Sequence, residues 1–183
     1  MSELFSIQLQ NRQQQGRDGV WLDLPTTTEQ VQAALRQIGI SSDNPQGLFI
    51  SGYFAEEEKR FAIPYNMVLA SNVDELNFLA SRLETLSTGE RAELNAALQA
   101  PQSELFSIGK ITDFPENVEY YVHLPEVRGP AQLGDYYLNR SGMVDMPEEW
   151  KGGIDTAQFG RYVAQQEQGA FTEYGYLVKS GDE

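Results

Sequence analysis

Two lysines and two serines of this chain stand in spacings known from serine enzymes that use a lysine base. Ser107 and Lys110 fit the pattern S-x-x-K, Ser42 opens an S-D-N tripeptide, and Lys179 opens a K-S-G tripeptide close to K-T-G. Such a set would supply a nucleophilic hydroxyl and its base. In penicillin-recognising enzymes, however, S-x-x-K precedes S-D-N, whereas here it follows, and 183 residues are too few for that fold. We rank this hydrolase hypothesis below a binding function.

Acid–base and metal chemistry have few other candidates. His123 is the single histidine, and it stands in a predicted strand between Val122 and Leu124, where a histidine is usually structural. The chain has no cysteine, which excludes thiolate nucleophiles and cysteine-bound zinc. The adjacent carboxylates at residues 56–58 and 148–149 have no histidine nearby and favour a solvated surface. The sequence therefore predicts no catalytic residue, no metal and no cofactor, hence a protein that is not an enzyme.

Charge is the main physical signal in the sequence. Asp and Glu number 27 against 13 Lys and Arg, for a net charge of -14. Such a field repels nucleic acid and anionic membranes and attracts basic surfaces, so we expect a basic protein partner and no direct nucleic-acid or membrane binding. The plainer alternative is that acidity only keeps the protein soluble. A hydrophobic fraction of 40% indicates a folded chain rather than an acidic disordered one.

The acidity is concentrated towards the end of the chain. Residues 1–60 hold 8 acidic and 5 basic side chains, and residues 61–102 hold 5 and 2. Residues 103–183 hold 14 and 6, for a net charge of -8 against -3 in each earlier segment. A surface that attracts a basic partner is therefore expected in the last segment.

Local patterns divide the chain at the same places. Residues 1–60 show an alternating hairpin, an amphipathic helix with Thr26 and Glu29 as a capping box, and a third strand. Residues 61–102 are helical throughout, beginning after a cap at Asn72. Residues 103–183 mix strands and helices, with a helix capped by Asp155 and a last strand over residues 171–178. The predicted fold class is α+β, as three small domains in these three ranges.

The strand predicted over residues 118–124 is bounded by prolines and has no obvious hairpin partner nearby. Alternation places Tyr121 and His123 on one face and Val122 on the other. One interpretation is an edge strand that pairs two copies of the chain through Tyr121 and His123. The other is that the strand packs on the helix near Leu133, and alternation allows both.

Short segments in all three ranges resemble the ArdA antirestriction family. Residues 19–25 (GVWLDLP) are similar to its aromatic strand followed by Leu-Pro and a helix, and residues 72–80 (NVDELNFLA) are similar to its Glu-Leu-Asn-x-Leu-Ala helix. Further matching segments are residues 146–150 (MPEEW), 154–155 (ID), 159–161 (FGR) and 174–176 (YGY). The order of these segments follows the family along nearly the whole chain.

The resemblance implies an elongated homodimer of three-domain chains, whose acidic surface imitates bent duplex DNA. It implies as target the DNA-binding groove of type I restriction-modification enzymes, and an origin on a mobile element. The first residues carry neither a basic nor an apolar leader segment, so we expect a cytoplasmic protein. The alternative is an acidic adaptor for some other basic protein. The carboxylates expected to take the place of phosphates are Asp113, Glu116, Glu119, Glu126, Asp135, Asp145, Glu148, Glu149 and Asp155.

Overall fold

The computed structural model of the chain describes residues 3–14, 18–41, 43, 45–117 and 121–180. Helices and two small sheets alternate along these residues, which confirms the predicted mixed α and β class. The arrangement as three domains in a row stays a prediction. No helix in the described part of the chain is long and apolar enough to cross a membrane. The helices are α1 (Thr28–Gln37), α2 (Tyr65–Leu69), α3 (Val73–Glu84), α4 (Thr88–Gln99), α5 (Ile108–Asp113), α6 (Pro130–Asn139), α7 (Glu148–Lys151) and α8 (Thr156–Glu167).

Contacts between Cα atoms group the chain into two compact units. The first unit comprises Met1–Ser87 and Phe106–Asp113, and the second comprises Thr88–Leu105 and Phe114–Glu183. Helix α5 belongs to the first unit because it packs on α3, although α4, which lies between them in the sequence, belongs to the second unit.

The first unit contains a three-stranded antiparallel sheet of β1 (Phe5–Asn11), β2 (Val20–Leu24) and β3 (Leu48–Phe54), with β1 in the centre. Every second side chain of β1 from Phe5 to Leu9 is buried. Successive side chains of a strand point to opposite faces, so this alternation means that one face of the sheet is covered. The antiparallel pairing of β1 with β2 confirms the predicted hairpin.

The start of α1 lies one residue later than the sequence predicted. The capping box is formed by Thr27 and Gln30, each bonded to the backbone N–H of the other at 3.4 Å, and not by Thr26 and Glu29. The backbone of Thr26 is bonded to α3, since its N–H donates to Asn77 Oδ1 at 2.7 Å and its carbonyl accepts from Asn77 Nδ2 at 3.0 Å, while its hydroxyl donates to the Gln30 side chain. A contact with α3 thus fixes which threonine caps α1.

Helix α3 follows the predicted pattern. Asn72 caps it by accepting the N–H of Glu75 at 2.9 Å, which satisfies one of the unpaired donors of the first turn. One face of the helix is buried through Val73, Leu76, Leu79, Ala80 and Leu83.

The second unit contains a sheet of β4 (Tyr121–Leu124), β5 (Ala170–Thr172) and β6 (Gly175–Lys179), in the order β4-β6-β5. The prediction of one strand over residues 171–178 is wrong, because a turn divides it into the hairpin β5–β6. The turn ends at Gly175, whose φ of 124° suits only glycine. Helices α6 and α8 pack together with this sheet around Val127, Leu133, Ala164 and Tyr176.

Candidate partner-binding surface

Eight of the nine predicted phosphate-mimicking carboxylates lie on described residues, while Glu119 lies outside them. Seven of these eight are exposed, and Asp135 is half-buried. Asp113 belongs to the first unit and the others to the second. Asp113 and Glu116 each interact with other residues of the chain. The eight are Asp113 at the end of α5, Glu116 in a 3-10 turn, Glu126 after β4, Asp135 in α6, Asp145 before α7, Glu148 and Glu149 in α7, and Asp155 before α8.

Glu126 and Asp135 line one surface groove of about 360 Å³. Asp135 is partly neutralised there: Arg140 Nη2 lies 3.4 Å from its Oδ2, and Asn139 Nδ2 donates to its Oδ1 at 2.8 Å. Glu126 has no hydrogen-bond or ion-pair partner among the described residues. Glu126 therefore presents its charge to solvent, whereas Asp135 shares its charge with Arg140.

The two glutamates of α7 differ in the same way. Lys151 Nζ donates to Glu148 Oε1 at 2.5 Å, across one helical turn. Glu149 and Asp145 make no ion pair or hydrogen bond within the described part of the chain. Trp150 stands beside them with 67% of its surface exposed. This segment thus offers two uncompensated carboxylates and an exposed indole to a partner.

Asp155 is the N-cap residue of α8. Its Oδ1 accepts the backbone N–H of Gln158 at 2.9 Å, which confirms the predicted N-cap. A carboxylate at this position is also favoured by the positive end of the helix dipole. The helix therefore already compensates part of the charge of Asp155 when no partner is bound.

The two residues predicted at a dimer interface both contact their own unit. The Tyr121 hydroxyl donates to the Ser103 carbonyl at 3.1 Å, and its ring lies 5.3 Å from that of Phe114. His123 Nε2 lies 2.8 Å from the Tyr174 carbonyl. Within the described residues, β4 pairs with β6 alone, so the side of β4 that faces away from β6 is a sheet edge there. Pairing of two copies along this edge stays a prediction.

Residues 15–178 match the family described as antirestriction protein (ArdA). The chain belongs to the ArdA antirestriction family. The match spans nearly the whole chain and includes every predicted carboxylate, and it confirms the resemblance found in the sequence segments. ArdA proteins are a family of non-catalytic antirestriction proteins. No match was found among curated proteins.

One partly buried polar cluster of this ArdA-family chain was not predicted from the sequence. Glu167 accepts hydrogen bonds from two tyrosine hydroxyls, from Tyr137 at Oε1 and from Tyr176 at Oε2 at 2.9 Å. Burial, followed by the bond to Glu167, raises the pKa of both tyrosines, so both stay protonated donors. The cluster links α6, α8 and β6. No sequence spacing signals it, because the three residues meet only through the packing of the unit.

The serine–lysine pair has a local role in the ArdA-family fold. Ser107 Oγ accepts the backbone N–H of Lys110 at 3.3 Å, as a residue before a helix commonly does. The Lys110 ammonium lies 5.9 Å from the centroid of the exposed Phe106 ring. Ser42 lies outside the described residues. Among the described residues, no group of three or more His, Asp or Glu side chains could hold a metal ion.

Proposed function

We propose that this ArdA-family chain is an acidic mimic of DNA that occupies the DNA-binding groove of type I restriction-modification enzymes. It acts by binding, without turnover, in the cytoplasm where those enzymes meet incoming DNA. The observation that carries this proposal is that three of the predicted carboxylates in the second unit are exposed and have no hydrogen-bond or ion-pair partner among the described residues: Glu126, Asp145 and Glu149. Such groups attract a basic groove at the smallest desolvation cost, since no internal ion pair has to be broken.

The charge density is lower than that of DNA. Duplex DNA carries one charge per about 1.7 Å, so two copies of a chain with net charge -14 match only about 48 Å of duplex. Compensation comes from geometry, because carboxylates on a folded scaffold need no bending, whereas bending a DNA site costs on the order of 1–6 kcal/mol. A sparsely charged but preshaped competitor can therefore displace DNA.

The proposed mimic acts as a homodimer. A two-fold assembly matches the pseudo-symmetry of a duplex, and the free edge of β4 is the element suited to pair two copies. Tyr121 and His123 would lie at that contact because they belong to the edge strand. Their side chains also bond to residues of their own unit.

The test is competition for DNA on a purified type I methyltransferase core, followed by fluorescence anisotropy of a labelled duplex. The wild type should displace DNA stoichiometrically, and the displacement should weaken as salt rises. The triple variant Glu126→Gln, Asp145→Asn and Glu149→Gln should require a several-fold higher concentration.

A matched variant controls for the loss of three charges: Glu57→Gln, Glu58→Gln and Asp74→Asn, which are exposed carboxylates of the first unit. It should retain most of the inhibition. Equal losses in the two triple variants would reject the placement of the surface. A wild type that leaves DNA bound at every concentration would reject the mimicry and favour the adaptor alternative.

A further inference from the structure

The first sheet has one covered face and one open face. Paired residues of antiparallel strands point to the same side, so the partners of Gln8 and Gln10 share the open face with them. These partners are Trp21 of β2 and Phe49 of β3. Trp21 and Phe54 are 49% and 59% exposed, a costly placement for large apolar side chains. The open face therefore presents aromatic surface between amide side chains.

The Trp21 side chain reaches across the central strand to β3. A Cβ atom added to Gly52 would lie 3.0 Å from Cη2 of the indole, so the ring packs closely against the β3 backbone at this glycine. Gln8 stands between the two residues in the register of the sheet. The indole thus rests on the sheet at Gly52, with about half of its surface open to solvent.

Two carboxylates share a groove with this indole. The groove, of about 350 Å³, is lined by Trp21 together with Glu3 and Asp23, and the described residues that line it include no lysine or arginine. Ser6 Oγ donates to Asp23 Oδ1 at 2.6 Å, which orients the carboxylate and leaves Oδ2 unbonded among the described residues. Glu3 is exposed. Uncompensated negative charge next to an aromatic face favours a cationic guest.

The same face of the sheet already binds a cation of the chain itself. The Arg12 guanidinium carbon lies 5.3 Å from the centroid of the Phe49 ring. An indole interacts more strongly with a cation than a phenyl ring does, and Trp21 has two carboxylates beside it.

We propose that Trp21, Glu3 and Asp23 form a cradle for an arginine or lysine side chain of the partner protein. The proposal rests on the proposed function, which supplies a partner with a basic groove, and it assigns a second contact surface to the first unit. The guest cation stacks on the indole while the two carboxylates meet its charge. Arginine is the better guest, because a planar guanidinium both stacks and donates several hydrogen bonds.

The test uses the full chain with Trp150→Phe, which leaves Trp21 as its single tryptophan. Its fluorescence is titrated with the type I methyltransferase core and, separately, with a short peptide rich in arginine. Both should change the Trp21 emission. In the same background, Glu3→Gln with Asp23→Asn should weaken both titrations by up to about thirty-fold, since each exposed charge pair contributes up to about 1 kcal/mol.

Trp21→Leu keeps apolar cover over Gly52 and removes the aromatic face, so its affinity for the core, measured by DNA displacement, should fall by a similar factor. Phe54 is also an exposed aromatic residue, on β3, and the control variant Phe54→Leu should bind as the wild type does. Should Trp21→Leu fail to fold, the Glu3 and Asp23 double variant still decides the question.

The two proposals fail differently. If the cradle variants displace DNA from the core as well as the wild type does, the cradle is overturned and the mimicry is left intact. The opposite result is also possible: the wild type fails to bind the methyltransferase core, but Trp21 still responds to the arginine peptide and responds less after Glu3→Gln with Asp23→Asn. That result supports the cradle and overturns the mimicry. Emission that is unchanged by both probes overturns the cradle.

Discussion

Gly160 of α8 lies directly against the carbonyl oxygen of Pro130 in α6: a Cβ atom on Gly160 would stand 1.8 Å from that oxygen. The contact is reciprocal, since a Cβ on Gly134 would stand 1.9 Å from the Thr156 carbonyl oxygen. The two helices therefore cross in backbone contact. The crossing places Asp135 on α6 and the Asp155 cap of α8 within one rigid pair of helices.

The first prediction is that Gly160→Ala destabilises the protein, because the methyl group meets backbone that cannot move without separating the helices. Overpacking of this kind costs about 1–3 kcal/mol, and we expect the upper end. Urea denaturation followed by circular dichroism measures it. Gly89→Ala is the control: it lies in α4 with nothing within 4 Å of the added carbon, and should stabilise by up to about 1 kcal/mol. Equal stability of the Gly160→Ala protein and the wild type would contradict the crossing.

The second prediction concerns pH. Burial, with a smaller contribution from the charge of Glu90, raises the pKa of Glu93 from its ordinary value of 4.5 to about 7. The folded state therefore binds more protons than the unfolded state between these values, so stability falls as pH rises through that window. Because Glu93 is half-exposed, screening reduces the effect to about 1–2 kcal/mol.

Glu93→Gln should remove this fall and be more stable than the wild type above about pH 7, as measured by urea denaturation between about pH 5 and pH 8. Glu90→Gln should shift the fall to lower pH without abolishing it. A wild-type stability that rises through the same window, or a Glu93→Gln profile parallel to it, would show that Glu93 titrates normally.

The third prediction separates the two glutamates of α7. Glu149→Gln should weaken inhibition of a type I enzyme more than Glu148→Gln, because Glu148 already shares its charge with Lys151. Exposed single charges contribute up to about 1 kcal/mol, so the difference should be up to about five-fold in half-inhibitory concentration at low salt. The difference should shrink in high salt. Greater damage from Glu148→Gln would place the partner on the other side of the helix.

The fourth prediction is a homodimer paired along β4, measured by analytical ultracentrifugation. Tyr121→Asp should yield monomers, but it also removes the bond to Ser103 and the contact with Phe114, so it should lower stability as well. Val122→Lys is the sharper variant: Val122 is 45% exposed on the edge strand, and a lysine there repels its symmetry mate while the fold is kept. A wild-type monomer at high concentration, or a dimer that survives Val122→Lys, would remove this edge as the interface.

Several features of the fold could be predicted from the sequence because they depend on neighbours in the chain. Alternation fixed the buried face of β1, and helical spacing fixed the buried face of α3. The caps Asn72 and Asp155 were predicted because a cap needs only its own side chain and the next turn. Net charge and family membership are likewise properties of composition and residue order.

Other features depend on residues far apart in the chain, and only the tertiary structure decided them. Asn77 of α3 holds Thr26 and so moves the cap of α1 to Thr27. Glu167 receives its two tyrosine partners from a different helix and from the last strand. No local pattern encodes such meetings, since they result from how finished elements pack.

The candidate partner-binding surface also combines features that the sequence determines and features that only the tertiary structure decides. The sequence by itself determined that the last third of the chain is strongly acidic, because a formal charge belongs to each side chain wherever it lies. Which carboxylates keep that charge available was decided by the folded chain, where Arg140 meets Asp135 and Lys151 meets Glu148. An ion pair depends on the distance between two side chains in space, and that distance exists only after helices and loops have taken their places.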